Sequence, residues 1–294
     1  ELDGGAGLRQ HQFSNELRYF GRLGGAVDLT TGFYYFFQKI DFAQNDSLFG
    51  GAIRQSGGGG QDQNVLGAFV NLDADVTERL KLSLGGRYSH EHKSIEVAKL
   101  LSPKPSATIR GYCNFLAGDC PIDFRDKHSW DSIDVKVGAQ YEIGAHARIY
   151  ASWSTATRAG GYNARVNNPA DSPGPVDPEH VSSFEVGLKS EPTRRSRFNI
   201  TGFYSKATDL QRTVIAALVI NGVPTTSQTR ANTADATIWG IEAEGQLGLT
   251  SHFLVSGTFG YTNASYDHVK YDLNMDGVID QKDLALKIPR TPEF

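Results

Sequence analysis

Apolar and polar side chains alternate in three successive runs between Pro178 and Gln246. In PEHVSSFEVGLKS, Phe184, Val186 and Leu188 fall on one face, with Glu185, Gly187 and Lys189 on the other. In RFNITGFYSKATDLQ, Phe198, Ile200 and Tyr204 alternate with Asn199, Thr201 and Ser205. In NTADATIWGIEAEGQ, Trp239, Ile241 and Ala243 alternate with Glu242, Glu244 and Gln246. A period of two predicts strands, and two unlike faces mean that each strand separates two environments. The first two runs are joined by the short turn Glu191–Ser196; the next connection, about 209–235, is long and polar.

The rest of the chain repeats this grammar. Phe13–Phe20 and Ala26–Gln38 flank a Gly24-Gly25 turn, and Val65–Val76 meets Leu80–Ile95 across Thr77-Glu78-Arg79. Trp130–Ile143 and His146–Thr157 pair across Gly144-Ala145, and Phe253–Tyr266 follows the turn Gly248–His252. Longer connections lie between these pairs. One contains Ser56–Gly60 (SGGGG), whose composition predicts a mobile loop. Another, Glu96–Ser129, holds both cysteines, a third holds four prolines, and the last is acidic. Ten strands, with short turns alternating with long loops, predict an all-β fold, an antiparallel up-and-down transmembrane β-barrel segment. Strands of about 10–14 residues suit a tilted crossing of about 25–30 Å of hydrocarbon, whereas soluble sandwiches average about 5–6 residues per strand.

Composition adds exclusions. The net charge is −4 over 294 residues, so no basic surface argues for nucleic acid. Mean hydropathy is −0.36, and there is no apolar run of eighteen residues to cross a membrane as a helix. Barrel strands do not need one, because only half their residues face lipid. Glycine (32) and aromatics (16 Phe, 12 Tyr, 3 Trp) are abundant, a mixture suited to barrel strands and interfacial girdles. No nucleophile elbow, HExxH or phosphate loop is present, and SGGGG lacks the Lys and helix a phosphate cradle needs, so no enzyme is expected. Glu1 begins in mid-pattern and Phe294 follows PRTPE where a strand is about to start, so the chain reads as a segment of something longer.

Several stretches resemble a known family. FSNELRYF, TTGFYYF, LGAFVNLDADVTERLKLSLGGRYSHEHK, YASWSTATRAGGYN, VDPEHVSSFEVGLKS, FNITGFYSKATDLQ and IWGIEAEGQ are similar, in order and spacing, to successive barrel segments of TonB-dependent outer-membrane receptors. The resemblance implies a barrel of about twenty-two strands around an N-terminal plug, with residues 1–294 a little under half of that barrel. It implies a bacterial outer-membrane location and contact with outer-membrane lipid. It further implies active uptake of a scarce nutrient, most often a ferric siderophore, less often cobalamin, haem or a glycan. The inner-membrane TonB complex would supply energy through the plug. Glu185, Lys189, Glu242, Glu244, Lys81 and Arg87 would line the hydrated lumen, and Arg158, Tyr162 and Asn163 of TRAGGYN would lie near the outer rim, where they either form a plain turn after the strand, the preferred reading, or touch a ligand. A passive porin and a secreted β-rich calcium-binding module are the rival readings.

Three local features stand apart. Cys113 and Cys120, exported to an oxidising compartment, are expected to form a disulfide that stiffens a loop tip. His90 and His92 share one side of a strand and read as two solvated histidines near the rim. The loop DLNMDGVIDQKD, Asp272–Asp283, has the donor spacing of an EF-hand calcium loop. Asp272, Asn274 and Asp276 stand at positions 1, 3 and 5, Gly277 at the turn, Val278 offers a carbonyl at 7, and Asp280 and Asp283 fall at 9 and 12. Asp rather than Glu at position 12 resembles dockerin-like loops, and Ca2+ ordering this extracellular loop is the expected role.

Overall fold

The computed structural model describes residues 3–48, 53–98, 101–102, 113–164, 172–220 and 223–293. The strands are β1 (Asp3–Leu23), β2 (Val27–Leu48), β3 (Ile53–Asp75), β4 (Leu80–Ala98), the two-residue β5 (Leu101–Ser102), β6 (Phe124–Gly144), β7 (Ala147–Arg158), β8 (Glu179–Thr193), β9 (Ser196–Ile220), β10 (Val223–Gly248) and β11 (Leu254–Val269). Ten of them form one antiparallel sheet in the order β1-β2-β3-β4-β6-β7-β8-β9-β10-β11, and β5 pairs with β3 off that path. After β11 a loop carrying the single turn of α1 (Gln281–Leu284) brings the chain back to the sheet, where the Glu293 carbonyl accepts from the Thr262 N–H at 3.0 Å.

Register turns the alternation of each strand into two continuous faces. Leu84, Val137, Trp153, Phe184, Tyr204 and Trp239 are successive cross-strand partners, so they form one row on one face. The next row of the other face runs Ser83, Gly138, Ser152, Glu185, Phe203, Gly240 and Thr262. Large side chains of the apolar face are exposed, Phe184 at 55% and Ile133 at 73%. No second layer covers them among the described residues, so their natural surroundings are apolar: lipid. The band has an edge. Beyond the Trp153–Trp239 row the same face presents Thr155, Ser182, Lys206, Thr237 and Ser265. From Trp239 to Leu247, β10 carries nine residues of the band, against the roughly 9–11 that a tilted spanning strand needs. In that row the amphipathic rings of Trp153, Tyr204 and Trp239 thus mark the level of the interface.

Three expectations for the connections are corrected. Ser56–Gly60 is not a loop: it lies in β3, with Gly58 paired to Ala43 on one side and Ala98 on the other. A Cβ at Gly58 would run into the Phe42 carbonyl and stand 2.6 Å from Phe115 Cβ, so glycine here admits the short turn Phe115–Ala117 against the sheet. The long polar connection at 209–235 is likewise mostly strand, since β9 runs to Ile220 and β10 starts at Val223. Its Thr, Val and Ile favour pairing, and outside the membrane no alternation of faces is required. β6 also begins at Phe124, inside the expected loop Glu96–Ser129.

The facing gives a direct test. Ile200→Arg on the apolar face should lower the unfolding free energy of the full-length protein by about 2–4 kcal/mol. Thr258→Arg, on the polar face, should change it by less than about 1 kcal/mol. Urea titration in detergent micelles, followed by the heat-modifiable mobility of the folded barrel, measures both.

Candidate functional site

The polar face is laced across strands. Tyr150 donates its hydroxyl to Glu185 at 2.6 Å and lies 2.9 Å from the Thr201 hydroxyl, while Lys189 sits over its ring at 5.1 Å. Asn199 donates to Glu244. Lys189, Glu242 and Glu244 share this face with Glu185 through the strand register, as do Lys81 and Arg87.

Toward the outer ends of the strands the connection between β7 and β8 folds back over this face. Gly161 and Val176 form an antiparallel bridge within it. On one side it is anchored to β4 and β6. The Tyr162 ring packs edge-on to Trp130, centroids 6.2 Å apart, and its hydroxyl donates to Asp126 at 3.0 Å. Lys93 donates to the Gly160 carbonyl at 2.6 Å, pairs with Glu91 at 2.7 Å and lies 5.4 Å over the Trp130 ring. Ile95 and Val97 complete this buried cluster. On the other side the anchors are β9 and β10. The Gln211 amide donates to the carbonyls of Ala159 (3.0 Å) and Asp177 (2.8 Å), and Asn232 donates to the Asp177 carbonyl and accepts from the Asp177 N–H. Arg230 donates to Gln211 at 2.7 Å. One connection is therefore fixed to four strands.

The three residues read as a ligand rim do not act alike. Arg158 ends β7, with its guanidinium exposed and 3.8 Å from Glu179. Tyr162 is 5% exposed and is an anchor rather than a surface contact. Burial, then Asp126, pushes its phenol above the ordinary value. Asn163 donates its backbone N–H to the Pro173 carbonyl at 2.6 Å. Lys93 and Arg230 instead converge on the fold-back: a Cβ at Gly161 would stand 3.6 Å from the nitrogen of each. These two, with Arg158, offer hydrogen-bonding cations beside Glu91 and Glu179. Sequence reading missed Trp130, Lys93, Gln211, Arg230 and Asn232, which come from four strands far apart in the chain. The paired glycines before Tyr162 were the available signal. A Cβ at Gly160 would strike the Val176 carbonyl and the Trp130 indole.

Cys113 and Cys120 are joined, with Cα atoms 4.9 Å apart, and close a turn whose Asn114 side chain caps Phe115–Ala117. Bonded to one another, neither offers a thiolate to a metal. His90 and His92 lie on the apolar face beyond Tyr88 and bond Asp131 (2.9 Å) and Ser129 (2.8 Å).

The segment Asp272–Asp283 forms a turn closed by its own polar groups. Asp272 accepts from the N–H groups of Met275 and Gly277, each at 2.7 Å, and Asp276 accepts from Val278 at 3.1 Å. Asn274 accepts from the Asp276 N–H at 2.8 Å. Asp283, 0% exposed, accepts from Leu273, Asn274 and Asp280, tying the two ends together. Asp280 caps α1. The Lys282 ammonium bonds Asp276 at 2.8 Å and holds that carboxyl below its ordinary value. Leu273, Leu284 and Ile288 seat the loop on Ala234, Ala236, Tyr266 and Val269 of β10 and β11.

The family profile described as "TonB dependent receptor-like, beta-barrel" matches residues 2–293. The solved ferric yersiniabactin uptake receptor FyuA of Yersinia pestis is similar at a TM-score of 0.72 and 19% identity, over 91% of this chain and 37% of that one. The siderophore receptor PiuA of Acinetobacter baumannii gives 0.63 at 16% identity, over 90% and 39%. The copper transporter OprC gives 0.62 at 15%, over 90% and 39%. The chain thus spans about two fifths of the length of the solved structures it matches. No curated protein sequence matches it.

The fold-back can be unseated. Gly160→Val should expose Trp130 to an aqueous quencher such as acrylamide, while the lipid-facing Trp153 and Trp239 stay shielded by detergent. Tyr162→Phe removes one hydrogen bond, worth about 1 kcal/mol, and should leave Trp130 shielded. Equal quenching in wild type and Gly160→Val would contradict the packing described.

Proposed function

Because the chain belongs to the TonB-dependent receptor-like β-barrel family, we propose that it forms part of the wall of an outer-membrane transporter that takes up a scarce nutrient, a ferric siderophore complex. The observation that carries this reading is the family match over residues 2–293, laid on a single-layer sheet with one apolar and one polar face. Lipid meets the apolar face, the polar face lines the path, and the inner-membrane TonB complex supplies energy through a plug inside the barrel. The role is transport rather than catalysis. Siderophore receptors among the similar structures support the substrate class. Lys93, Arg158 and Arg230 are cations suited to an anionic ferric complex at the outer mouth.

Uptake of radiolabelled iron separates this from a passive pore. Cells that express the full-length protein as their only receptor should accumulate a ferric siderophore, and loss of TonB or collapse of the proton gradient should abolish accumulation. Uptake that persists without TonB would identify a porin instead.

The loop Asp272–Asp283 is, in the same proposal, a structural calcium site. Its support is the donor spacing, the Gly277 turn at φ 90° and the entry into α1 immediately after Asp280. Asp272, Asn274, Asp276, Asp280 and Asp283 would supply side-chain oxygens and Val278 its carbonyl, with the Lys282 ammonium displaced from Asp276. Calorimetric titration of the full-length protein should give a dissociation constant of about 10⁻⁴–10⁻³ M, lost in Asp272→Ala with Asp276→Ala. Equal binding by both proteins, or none by the wild type at millimolar calcium, rules the site out.

A further inference from the structure

The apolar face of β1–β6 does not simply stop at its aromatic edge. Phe13, Phe37, Asn64, His92 and Ser129 form its last row. The next row on the same face is His11, Lys39, Asp62, Ser94 and Lys127, and the one after it Arg9, Asp41, Gly60, Glu96 and Arg125. A third row, Gly7, Ala43, Gly58 and Ala98, is made of small residues. On it rests the disulfide-closed turn: a Cβ at Gly7 would stand 2.8 Å from Leu116, and one at Gly60 would stand 3.4 Å from Phe115. The turn overhangs the charged rows like an eave and leaves a cavity of about 980 Å³ beneath it, lined by the cations Arg9, Lys39, Arg125 and Lys127 and by the carboxylates Asp41, Asp62, Glu96 and Asp126.

The charges in this cavity are unevenly satisfied. Lys39 meets Asp62 at 3.6 Å and Arg125 meets Glu96 at 2.7 Å. Arg9 and Lys127 make no ion pair or side-chain hydrogen bond among the described residues, nor does Asp41. The four cations of the lining are matched in number by four carboxylates, Asp126 being held by the Tyr162 hydroxyl, so what the cavity offers is two cations, Arg9 and Lys127, and one carboxylate, Asp41, with no partner among the described residues. Its position selects the occupant. The cavity is on the lipid-facing side and begins one row beyond Phe13 and Phe37, at the depth of the headgroups. A molecule held there lays any acyl chains on the band below, along Phe37, Tyr35 and Leu66. A soluble anion would have no use for that continuity.

We propose that this cavity holds the phosphate-bearing headgroup of a lipid in the leaflet at the outer ends of the strands, with Arg9 and Lys127 pairing the phosphate. Arg9 offers its planar fork of donors and Lys127 a compact ammonium. Asp41 accepts from the hydroxyl or amine groups such headgroups carry. The eave of Phe115 and Leu116, held by the Cys113–Cys120 bond, shields the pairing from water and strengthens it. The proposal rests on the reading of the chain as a membrane barrel.

Native mass spectrometry of the full-length protein released from micelles tests it, with phosphatidylglycerol and the zwitterionic phosphatidylcholine added in equal amount. Wild type should retain phosphatidylglycerol, and Arg9→Ala with Lys127→Ala should lower that retention roughly thirtyfold, since each cation near an anionic headgroup contributes about one factor of five. Lys206→Ala, on the same face but outside the cavity, should not. Heat-modifiable gel mobility establishes that each variant is folded, and Lys127→Gln alone serves should the double variant not fold. Equal phosphatidylglycerol retention in wild type and folded variant overturns the proposal. Displacement of the lipid by millimolar inorganic phosphate overturns it too, in favour of a free-anion site. A protein that fails to insert into vesicles at all refutes the barrel reading, and the site with it.

Discussion

Every strand of this sheet depends on its neighbours for its backbone hydrogen bonds. In hydrocarbon an unpaired N–H or C=O has no water to turn to, and each one left open costs several kcal/mol. A helix answers that demand within itself; a strand cannot. Hence the unbroken antiparallel order from β1 to β11, in which each spanning strand between these two edges is paired on both sides. The sheet edges at β1 and β11 face the same demand, and at β11 the return of Glu293 to Thr262 begins to meet it. Register is then no longer free. A slip of one residue between β8 and β9 would send Phe198 and Ile200 to the polar face and Asn199 and Thr201 to lipid.

This is why so much of the spanning region was legible in the sequence. Within the membrane the two environments are fixed, so alternation must be kept, and Phe184, Tyr204 and Trp239 could each be assigned to the apolar face of its strand before any register was known. Outside the membrane both faces meet water and the pattern relaxes. β3 could then begin at Ile53 and carry Gly57–Gly60 as strand, and β9 and β10 could extend past Asp209 and Ala231 without any period of two. Glycine-rich composition suggests mobility, but Gly58 and Gly60 are small where Phe115 lies on them. The signal and its cause sit about sixty residues apart in the chain, beyond the reach of any local reading.

The candidate site divides along the same line. The donor spacing of Asp272–Asp283 and the pairing of Cys113 with Cys120 are local, so both could be read from a few consecutive residues. The fold-back at Tyr162 is not local. It needs Lys93, Asp126 and Trp130 from one part of the sheet and Gln211 and Asn232 from another, and only the sheet order brings these together. Tyr162 looked like an exposed aromatic at a strand top. Its burial follows from partners that no neighbouring residue announces.

The buried clusters reveal how the work of stability is divided. The spanning part of the sheet has almost no protein core, because its apolar side chains are turned to lipid and its polar ones to the lumen. Side chains buried by protein gather instead at the outer ends, around Ile95, Val97, Trp130 and Tyr162 and around Ala234, Ala236, Tyr266 and Ile288. There water competes for every backbone group, and pairing alone no longer holds long hairpins upright. The fold-back joins β4 and β6 to β9 and β10 across the intervening strands β7 and β8, and the α1 loop braces β10 and β11. The outer mouth is therefore built as a set of cross-ties rather than as free loops. In the proposed transporter, a ligand arriving there would meet Arg158 beside anchored backbone, so its recognition need not begin by ordering that part of the mouth.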